Sequence, residues 1–394
     1  MLLGSLLEYA FLRILTFYHS TNTFNITEIR FLSLTLCFFA TIMKVDYLIV
    51  GQGVSGSFLS WNFIKKGKKV LVIDDSQPFS ASKVASGVIN PVTGRRIVAT
   101  WMIDTLLPFA FETYSALGKE LGIDIISQKN IIDFHPTPQM KLAFDERQLI
   151  ENKYLCYPEN EDYYRQYFNF PFSAGEINPC YLIDLHLLLS GWRNKLKEKG
   201  CLKEEFFDLN ELSLSNSQLP TYKDITADKI IFCDGTKGFD SPYFNLLPYA
   251  KNKGEAVIVE IRGLPRTNIY KHGLSLVPWK EDLWWVGSTY EWDFKDLEPS
   301  AAFREKVELL LKQWVKFSYK IVDHIAAERP ANLERRPFVG FHPKYPAIGI
   351  LNGMGTKGCS LAPYFAQQLI DNILYDEPIN PLADIKRFTK ILSR

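Results

Sequence analysis

The chain is poor in the residues that build metal sites and disulfide scaffolds. Its six cysteines, Cys37, Cys156, Cys180, Cys201, Cys233 and Cys359, are widely spread over 394 residues, and none forms a C-x-x-C pair. That spacing argues against zinc frameworks and a disulfide network, and reduced, buried thiols in a cytoplasmic protein are expected. Six histidines are scattered without an H-x-x-H or H-E-x-x-H pattern, so no metal is expected. No Ser/His/Asp or Cys/His constellation is readable, which leaves nucleophilic catalysis without a candidate. Net charge is +1 with no long basic stretch, so no nucleic-acid partner is indicated. Internal repeats and low-complexity linkers are absent as well.

Long apolar runs are also missing. The first 42 residues hold two short ones, around 2–17 and 31–42, split by a Ser/Thr/Asn stretch. Neither reaches the ~20 clean apolar residues of a spanning helix, and Glu8 and Arg13 interrupt the first. No small-residue cleavage site follows the second run. Met43-Lys44-Val45 instead leads straight into a strand pattern. Residues 1–42 are therefore expected to be an upstream extension, with Met43 as the start. The rival reading is a membrane-associating segment, which would place the protein peripherally on a membrane. Beyond residue 42 the composition turns ordinary. A hydrophobic content of 47% allows a large core and about two domains. Aromatics at 14% suit a planar ligand or a plain aromatic core equally.

The informative unit starts at once. Val45-Asp46-Tyr47-Leu48-Ile49-Val50 reads as a buried parallel strand, and Gly51-Gln52-Gly53-Val54-Ser55-Gly56 follows it. Val54, Phe58 and Trp61 then recur at helical spacing. Lys65-Lys66-Gly67 ends that helix with cations at its negative pole and a glycine beyond. A second strand, Lys69-Val70-Leu71-Val72-Ile73, stops at Asp74-Asp75. Each part has a task in holding a dinucleotide. Gly51 permits the tight turn, Gly53 lets a pyrophosphate approach the backbone, and Gly56 lets the helix press on the strand. The N–H groups of Val54 and Ser55 lie at the helix N-terminus that receives the phosphate charge. Asp74, 18 residues past Gly56, is placed to bond ribose hydroxyls, with Asp75 beside it. The motif does not separate NAD from FAD; its position at the start of the chain favours FAD.

Three further segments follow in order. Ser82-Lys83-Val84-Ala85-Ser86-Gly87-Val88-Ile89-Asn90-Pro91 is a loop of small side chains, either a seat for a planar ring or a surface loop. Ala227-Asp228-Lys229-Ile230-Ile231-Phe232-Cys233-Asp234-Gly235 is a strand ending in a glycine, either at a ligand or as a core strand and turn. Near the C-terminus come Arg329-Pro330, Arg336-Pro337-Phe338-Val339-Gly340, Asn352-Gly353-Met354-Gly355-Thr356-Lys357-Gly358 and Leu361-Ala362-Pro363. Ile348-Gly349-Ile350-Leu351 reads as a strand before that glycine run. Leu361, Phe365, Leu369 and Ile373 mark one face of a helix after it.

From about residue 43 to 380 this series resembles the D-amino-acid oxidase (DAO) family of FAD-dependent oxidoreductases. Within the family it is similar to the glycine and sarcosine oxidases and to the oxidase domain of the bifunctional tRNA 5-methylaminomethyl-2-thiouridine enzyme. The resemblance implies an α/β fold, with a Rossmann-type FAD-binding domain interleaved with a sheet-rich α+β substrate domain (the glutathione-reductase-like FAD fold, DAO type). The FAD domain is assigned to 43–125, 176–250 and 325–394, and the substrate domain to 126–175 and 251–324. In the substrate domain, residues 255–261 and Trp284-Trp285-Val286-Gly287-Ser288-Thr289-Tyr290 read as strands. Residues 302–316 form a helix with Phe303, Val307, Leu310 and Trp314 on one face. The aromatic run from Tyr163 to Phe170 either lines a pocket or packs the smaller domain.

The resemblance also implies roles. Ser86, Gly87 and Gly235 would lie close to FAD. Gly353, Gly355, Thr356, Lys357 and Gly358 would face the N1–C2=O edge of the flavin, where helix-end N–H groups stabilise negative charge. Lys357 would add its charge there or stand as a solvated lysine. No motif for covalent attachment is matched at Cys359, so FAD is expected to be non-covalent. The expected activity is oxidation of an amine or amino acid, with hydride passing from the carbon beside nitrogen to flavin N5 and electrons ending on oxygen or a quinone. Arg329, preceding Pro330, occupies the place of a substrate-carboxylate arginine, with Glu328 where the comparable segment is apolar; the alternative for Arg329 is an interdomain salt bridge. The Arg95-Arg96 and Arg335-Arg336 pairs either meet anions or are solvated. Rival functions are a membrane-associated flavin dehydrogenase feeding a quinone, a tRNA-modification oxidase, and a non-catalytic FAD-binding protein.

The glycine turn yields a direct test. Gly53→Val is expected to yield folded protein without FAD, because a branched side chain would stand where the pyrophosphate must lie. Absorbance of the purified variant checks this, and full FAD occupancy would show the phosphate loop to be misplaced.

Overall fold

The computed structural model describes residues 42–94, 97–150, 153–214 and 219–394. The expectation for residues 1–42 lies almost wholly outside them, as does the Arg95-Arg96 pair. The elements that position the site are, in chain order, β1 (Met43–Val50), α1 (Val54–Lys65), β2 (Val70–Ile73), α2 (Leu185–Glu198), β3 (Ile225–Phe232), β4 (Tyr249–Glu260), β5 (Leu283–Gly287), α3 (Ala301–Trp314), β6 (Lys320–Asn332), β7 (Ile348–Asn352) and α4 (Gly358–Tyr375).

One sheet is built on four of these strands in parallel. β1 pairs with β2 from Tyr47↔Val70 to Val50↔Ile73, and with β3 from Met43↔Ile225 to Val50↔Phe232. β3 continues to β7 through Ile230↔Ile348 and Phe232↔Ile350. Leu202–Lys203 extends the sheet beyond β2, and Phe338–Phe341 returns antiparallel along β7. The strands are apolar on both faces, as a sheet covered on both sides requires. Tyr47, Ile49, Val70 and Val72 face one core, while Leu48, Val50, Leu71 and Ile73 face another. α1 is buried on almost every side rather than along one stripe, since α4 packs over it from outside the sheet. It ends after Lys65, and Gly67 follows at φ +71°.

A second sheet of eight strands runs β6, β4, β5, Leu274–Pro278, Ile269–His272, Ile131–Phe134, Ala174–Ile177 and Leu155–Cys156. Val257, Val259, Trp284 and Val286 line one face and pack on α3. On α3 the buried positions are Phe303, Val307, Leu311 and Trp314, with Leu310 half-buried beside them. Of the aromatic run, Tyr164, Phe168 and Phe170 fill this core and Tyr163 stays exposed. The expected boundaries after 250 and before 325 fall inside β4 and β6. These two strands pair from Tyr249↔Asn332 to Glu260↔Lys320, so the second sheet reaches further in both directions. Strand alternation then sends Trp285 the other way from Trp284, and its indole Nε1 donates to Val84 O at 3.0 Å, joining the two layers.

The architecture is thus a Rossmann-type α/β layer interleaved with a sheet-rich α+β layer. Among the described residues no helix is long and apolar enough to cross a membrane. The five described cysteines are free, and among the described residues no group of three or more His, Cys, Asp or Glu side chains converges as a metal site.

Two buried tryptophans differ in one respect that stability measurements resolve. Trp192 of α2 donates its Nε1–H to Ser60 Oγ of α1 at 2.8 Å. The Nε1 of Trp314 is buried without a partner among the described residues. Both substitutions to Phe leave a similar void, but only Trp192→Phe breaks a buried hydrogen bond. It is expected to cost about 1–3 kcal/mol more than Trp314→Phe in denaturant unfolding; equal losses would contradict the difference in pairing.

Candidate active site

β1 ends at Val50 and the backbone turns at Gly51 with φ +98°. A Cβ at Gly51 would stand 2.5 Å from Cys233 O, and one at Gly56 would overlap Gly51 O. The first glycine thus lets the turn lie against the end of β3, and the third seats α1 on that turn. Gly53 is the N-cap of α1 and offers no side-chain cap. The N-terminal pole of α1 therefore lies bare at the cleft, apart from Ser82 Oγ, which accepts the Val54 N–H at 3.2 Å.

The carboxylate after β2 is tightly held. Asp74 Oδ2 accepts the Gln52 N–H at 2.8 Å, and Oδ1 accepts the Ser76 N–H at 2.8 Å. Arg193 of α2 donates to Asp74 Oδ1 at 2.7 Å and also to Gln52 Oε1, Asp74 O and Glu204. Its place in the sequence, on an ordinary amphipathic helix, carries no sign of this role. Asp75 pairs instead with Lys237 at 2.6 Å, from the turn after β3. Burial works against the charge on Asp75, but Lys237 and Gln77 outweigh it and hold the carboxyl below its usual range.

A cleft of about 770 Å³ runs from this region to the second sheet. Among the residues expected to form the site, Gly51, Gly53, Val54, Ser55, Asp74, Asp75, Ser86, Gly235, Gly355, Thr356, Gly358 and Arg329 line it. Gly56, Gly87, Gly353 and Lys357 do not. Gly56 packs inside the helix–turn contact. Gly87, at φ +83°, packs against the backbone of Ile183, and Gly353, at φ +74°, against Phe338. Their lack of a side chain serves the walls of the cleft rather than its surface. Lys357 caps α4 half-buried, and burial followed by the Arg335 charge brings its ammonium down to about 8. Cys359 starts α4 at the cleft wall; burial pushes its thiol up to about 12, so it stays protonated.

Arg329 stands at the far end. Its Nη1 donates to Asn252 Oδ1 and to Lys253 O at 3.3 Å, and its Nη2 to Ser288 Oγ at 3.0 Å and Thr289 O at 3.1 Å. Tyr290 stacks on the guanidinium, 4.7 Å from ring centroid to Cζ. All four oxygen acceptors are neutral, and no carboxylate forms an ion pair with Arg329 among the described residues. Gly254 makes the room, since a Cβ there would overlap the guanidinium. Asn252 and Gly254 were invisible to sequence reasoning, because their importance follows only from the register of β4 and β6; Ser288 lies in the segment 284–290 that was read as a strand, without a role of its own. The other arginine of interest, Arg336, lies over Trp101 at 4.4 Å and does not line the cleft.

The arrangement offers a bare helix pole, a long cleft between two sheets, and the half-buried guanidinium of Arg329 at its end. It can hold a dinucleotide and present an anionic molecule to it. Comparison with known proteins agrees with that capacity. Residues 46–372 match the family model described as FAD dependent oxidoreductase (DAO). The structure is similar to glycine oxidase from Geobacillus kaustophilus, with TM-score 0.70 and 19% identity over 88% of this chain and 98% of that one. It is also similar to iminodiacetate oxidase from Chelativorans sp. (TM-score 0.68, 18% identity, 87% and 98% covered). A third similar structure is L-proline dehydrogenase from P. horikoshii (TM-score 0.66, 16% identity, 88% and 98% covered). At such identities these structures establish the fold.

Asp234, on the inner wall, carries a pH prediction. Burial raises its carboxyl from 3.8 to about 7, against its own backbone hydrogen bond, the Asn352 amide and the Lys237 charge. The folded state then holds a proton that the unfolded chain has released. This group's contribution to stability falls as pH rises from the unfolded to the folded value, and levels off above it. In flavin-free protein the Tm of Asp234→Asn minus that of wild type is expected to climb from pH 4 to pH 7, roughly the window between the two values, and then stay flat. A difference independent of pH would mean that Asp234 titrates as an ordinary carboxylate.

Proposed function

Because the chain belongs to the DAO family of FAD-dependent oxidoreductases, we propose that it oxidises an amine that carries a carboxylate, an amino acid or an N-substituted one. FAD is the cofactor, and the residues present fit it: the glycine turn lies close to the strand ends, and the pole of α1 has no cap from its N-cap residue, with Ser82 Oγ alone against the Val54 N–H among the described residues. Gly51, Gly53, Val54 and Ser55 would receive the pyrophosphate, with Gly56 seating the helix behind them. Asp74, fixed by Arg193, would receive the ribose hydroxyls, with Asp75 beside it. Ser86, Gly87 and Gly235 would border the middle of the molecule. Gly353, Gly355, Thr356, Lys357 and Gly358 would border the flavin edge. Bound there, FAD supplies the acceptor for a hydride from the carbon beside nitrogen.

The protein's part is to bind and orient. The observation that carries the reading is Arg329: a half-buried guanidinium at the end of a cofactor cleft, whose hydrogen-bond acceptors among the described residues are all neutral. Desolvation lowers its basicity, yet an arginine remains charged, so the site presents a positive charge that no carboxylate among the described residues pairs. A substrate carboxylate would supply the missing charge. It would also replace bonds now made to Ser288 and Asn252, so the gain is an exchange rather than a set of new bonds. No general base is required, because an amine that is already neutral can yield hydride directly. A protonated Cys359 thiol fits FAD held without a covalent bond.

The experiment is a panel of glycine, sarcosine, proline, D-amino acids and simple amines, read by oxygen consumption and by anaerobic flavin bleaching. Bleaching without oxygen uptake would point to another acceptor, such as a quinone. No bleaching by any compound would favour a non-catalytic FAD-binding protein. With a substrate in hand, Arg329→Ala is expected to weaken carboxylate substrates by about tenfold, the lower end for a charge-assisted hydrogen bond. Flavin content should be retained and simple amines little affected. Equal losses for amines and amino acids, at normal FAD occupancy, would remove Arg329 from the substrate site.

A further inference from the structure

The inner wall of the cleft contains a polar cluster that neither the glycine turn nor Arg329 explains. Asn352 closes β7 and is 3% exposed. Its Nδ2 donates to Asp234 Oδ1 at 2.9 Å and to Gly235 O at 2.8 Å. Its Oδ1 accepts the Gly353 N–H at 2.7 Å. The carbonyl of Gly353 in turn accepts Asn332 Nδ2 at 2.8 Å. Two residues further on, the Gly355 N–H donates to Pro330 O at 3.0 Å, immediately after Arg329. Gly353 and Gly355 both have left-handed φ, at +74° and +57°, so the loop makes two turns that no regular strand or helix would hold.

The orientation of the Asn352 amide is forced. Whichever protonation state Asp234 holds, the Gly235 carbonyl can only accept and the Gly353 N–H can only donate. Turning the amide over would set its oxygen against the Gly235 carbonyl and its nitrogen against the Gly353 N–H. The cluster is also closely built. A Cβ at Gly238 would stand 3.0 Å from Asn352 Nδ2, 3.0 Å from Tyr249 Oη and 3.1 Å from Asp234 Oδ1. Tyr249 Oη is buried there without a partner among the described residues.

We infer that Asp234 is a positioning residue for the flavin-facing loop: through Asn352 it holds Gly353, and with it the 353–358 run, in the path that receives the flavin edge. This rests on the reading of that run as the loop that borders the flavin. Asp234 acts by accepting a hydrogen bond. It takes one donor of the Asn352 amide, which leaves the amide oxygen turned towards the Gly353 N–H.

The test titrates flavin-free protein with FAD and records the dissociation constant and the shape of the long-wavelength flavin absorption band. Circular dichroism and the Tm without FAD monitor folding. Asp234→Ala and Asn352→Ala are each expected to weaken FAD about tenfold and to change the band shape. The double variant should be no weaker than either single, since both remove the same link. Asp234→Asn keeps an acceptor oxygen at that place and should bind FAD within about twofold of wild type. Should Asp234→Ala not fold, Asn352→Ala and Asp234→Asn still decide the matter. Unchanged affinity and band shape in Asn352→Ala would overturn the inference. So would additive losses in the double variant, or a tenfold loss in Asp234→Asn, which would assign the role to charge. Gly358→Val separates this outcome from failure of the underlying reading. If it weakens FAD while Asp234→Ala and Asn352→Ala do not, the loop borders the flavin and only the inference fails. If none of the three matters, the reading of the loop fails.

Discussion

Everything chemical in this protein depends on three parallel strands stopping at one level. Val50, Phe232 and Ile350 are held in register across β1, β3 and β7 by the ladder of the sheet. The glycine turn at 51–56, the turn at 233–238 and the glycine run at 353–358 therefore leave the sheet at one edge. The core fixes that register from both faces, since a slip of one residue would send each row of apolar side chains to the wrong layer. A binding edge made in this way takes its position first from the backbone ladder. Residues at the edge can then be chosen for smallness, as Gly51 and Gly56 are, or for charge.

Charge is distributed along the cleft with its two ends opposed. At the dinucleotide end, the carboxylates of Asp74 and Asp75 are each matched by a cation brought from elsewhere in the chain, Arg193 and Lys237. Fixed acids suit hydroxyl groups, and the helix pole beside them suits a phosphate. At the other end Arg329 has no acid partner among the described residues and is surrounded by neutral oxygens. A partly desolvated charge left unmatched is costly, and an anionic substrate, as proposed, would recover that cost. The asymmetry between a compensated end and an uncompensated end is the physical basis for expecting a carboxylate in the substrate.

The two layers are joined along the middle of the cleft. Trp285 of the second sheet donates to Val84, next to the small-residue loop of the first. Gly355 of the glycine run donates to Pro330 of β6. That backbone bond ties the strand of Arg329, the proposed substrate anchor, to the loop proposed to border the flavin.

Much of this was legible in the chain itself. The strand, turn, helix, strand and acid from residue 45 to 75 are local: period, glycine spacing and a terminal carboxylate lie within one βαβ unit, and local sequence dictates them. The strand and helix around the glycine run near the C-terminus were legible for the same reason, as were the helix of 301–314 and the Rossmann character of the larger layer. What the sequence did not determine is anything that depends on which strand lies beside which. Arg193 reaches Asp74 across 119 residues. Gly254 is a hole for the Arg329 guanidinium only because β4 and β6 pair at Asn252↔Arg329. Leu311 rather than Leu310 turns inward because the exact roll of α3 is set by the sheet beneath it. Asp234 and Asn352 meet because β3 and β7 are neighbours. Local pattern determines the elements, and the long-range register, fixed by packing on two faces at once, determines which polar groups those elements bring together.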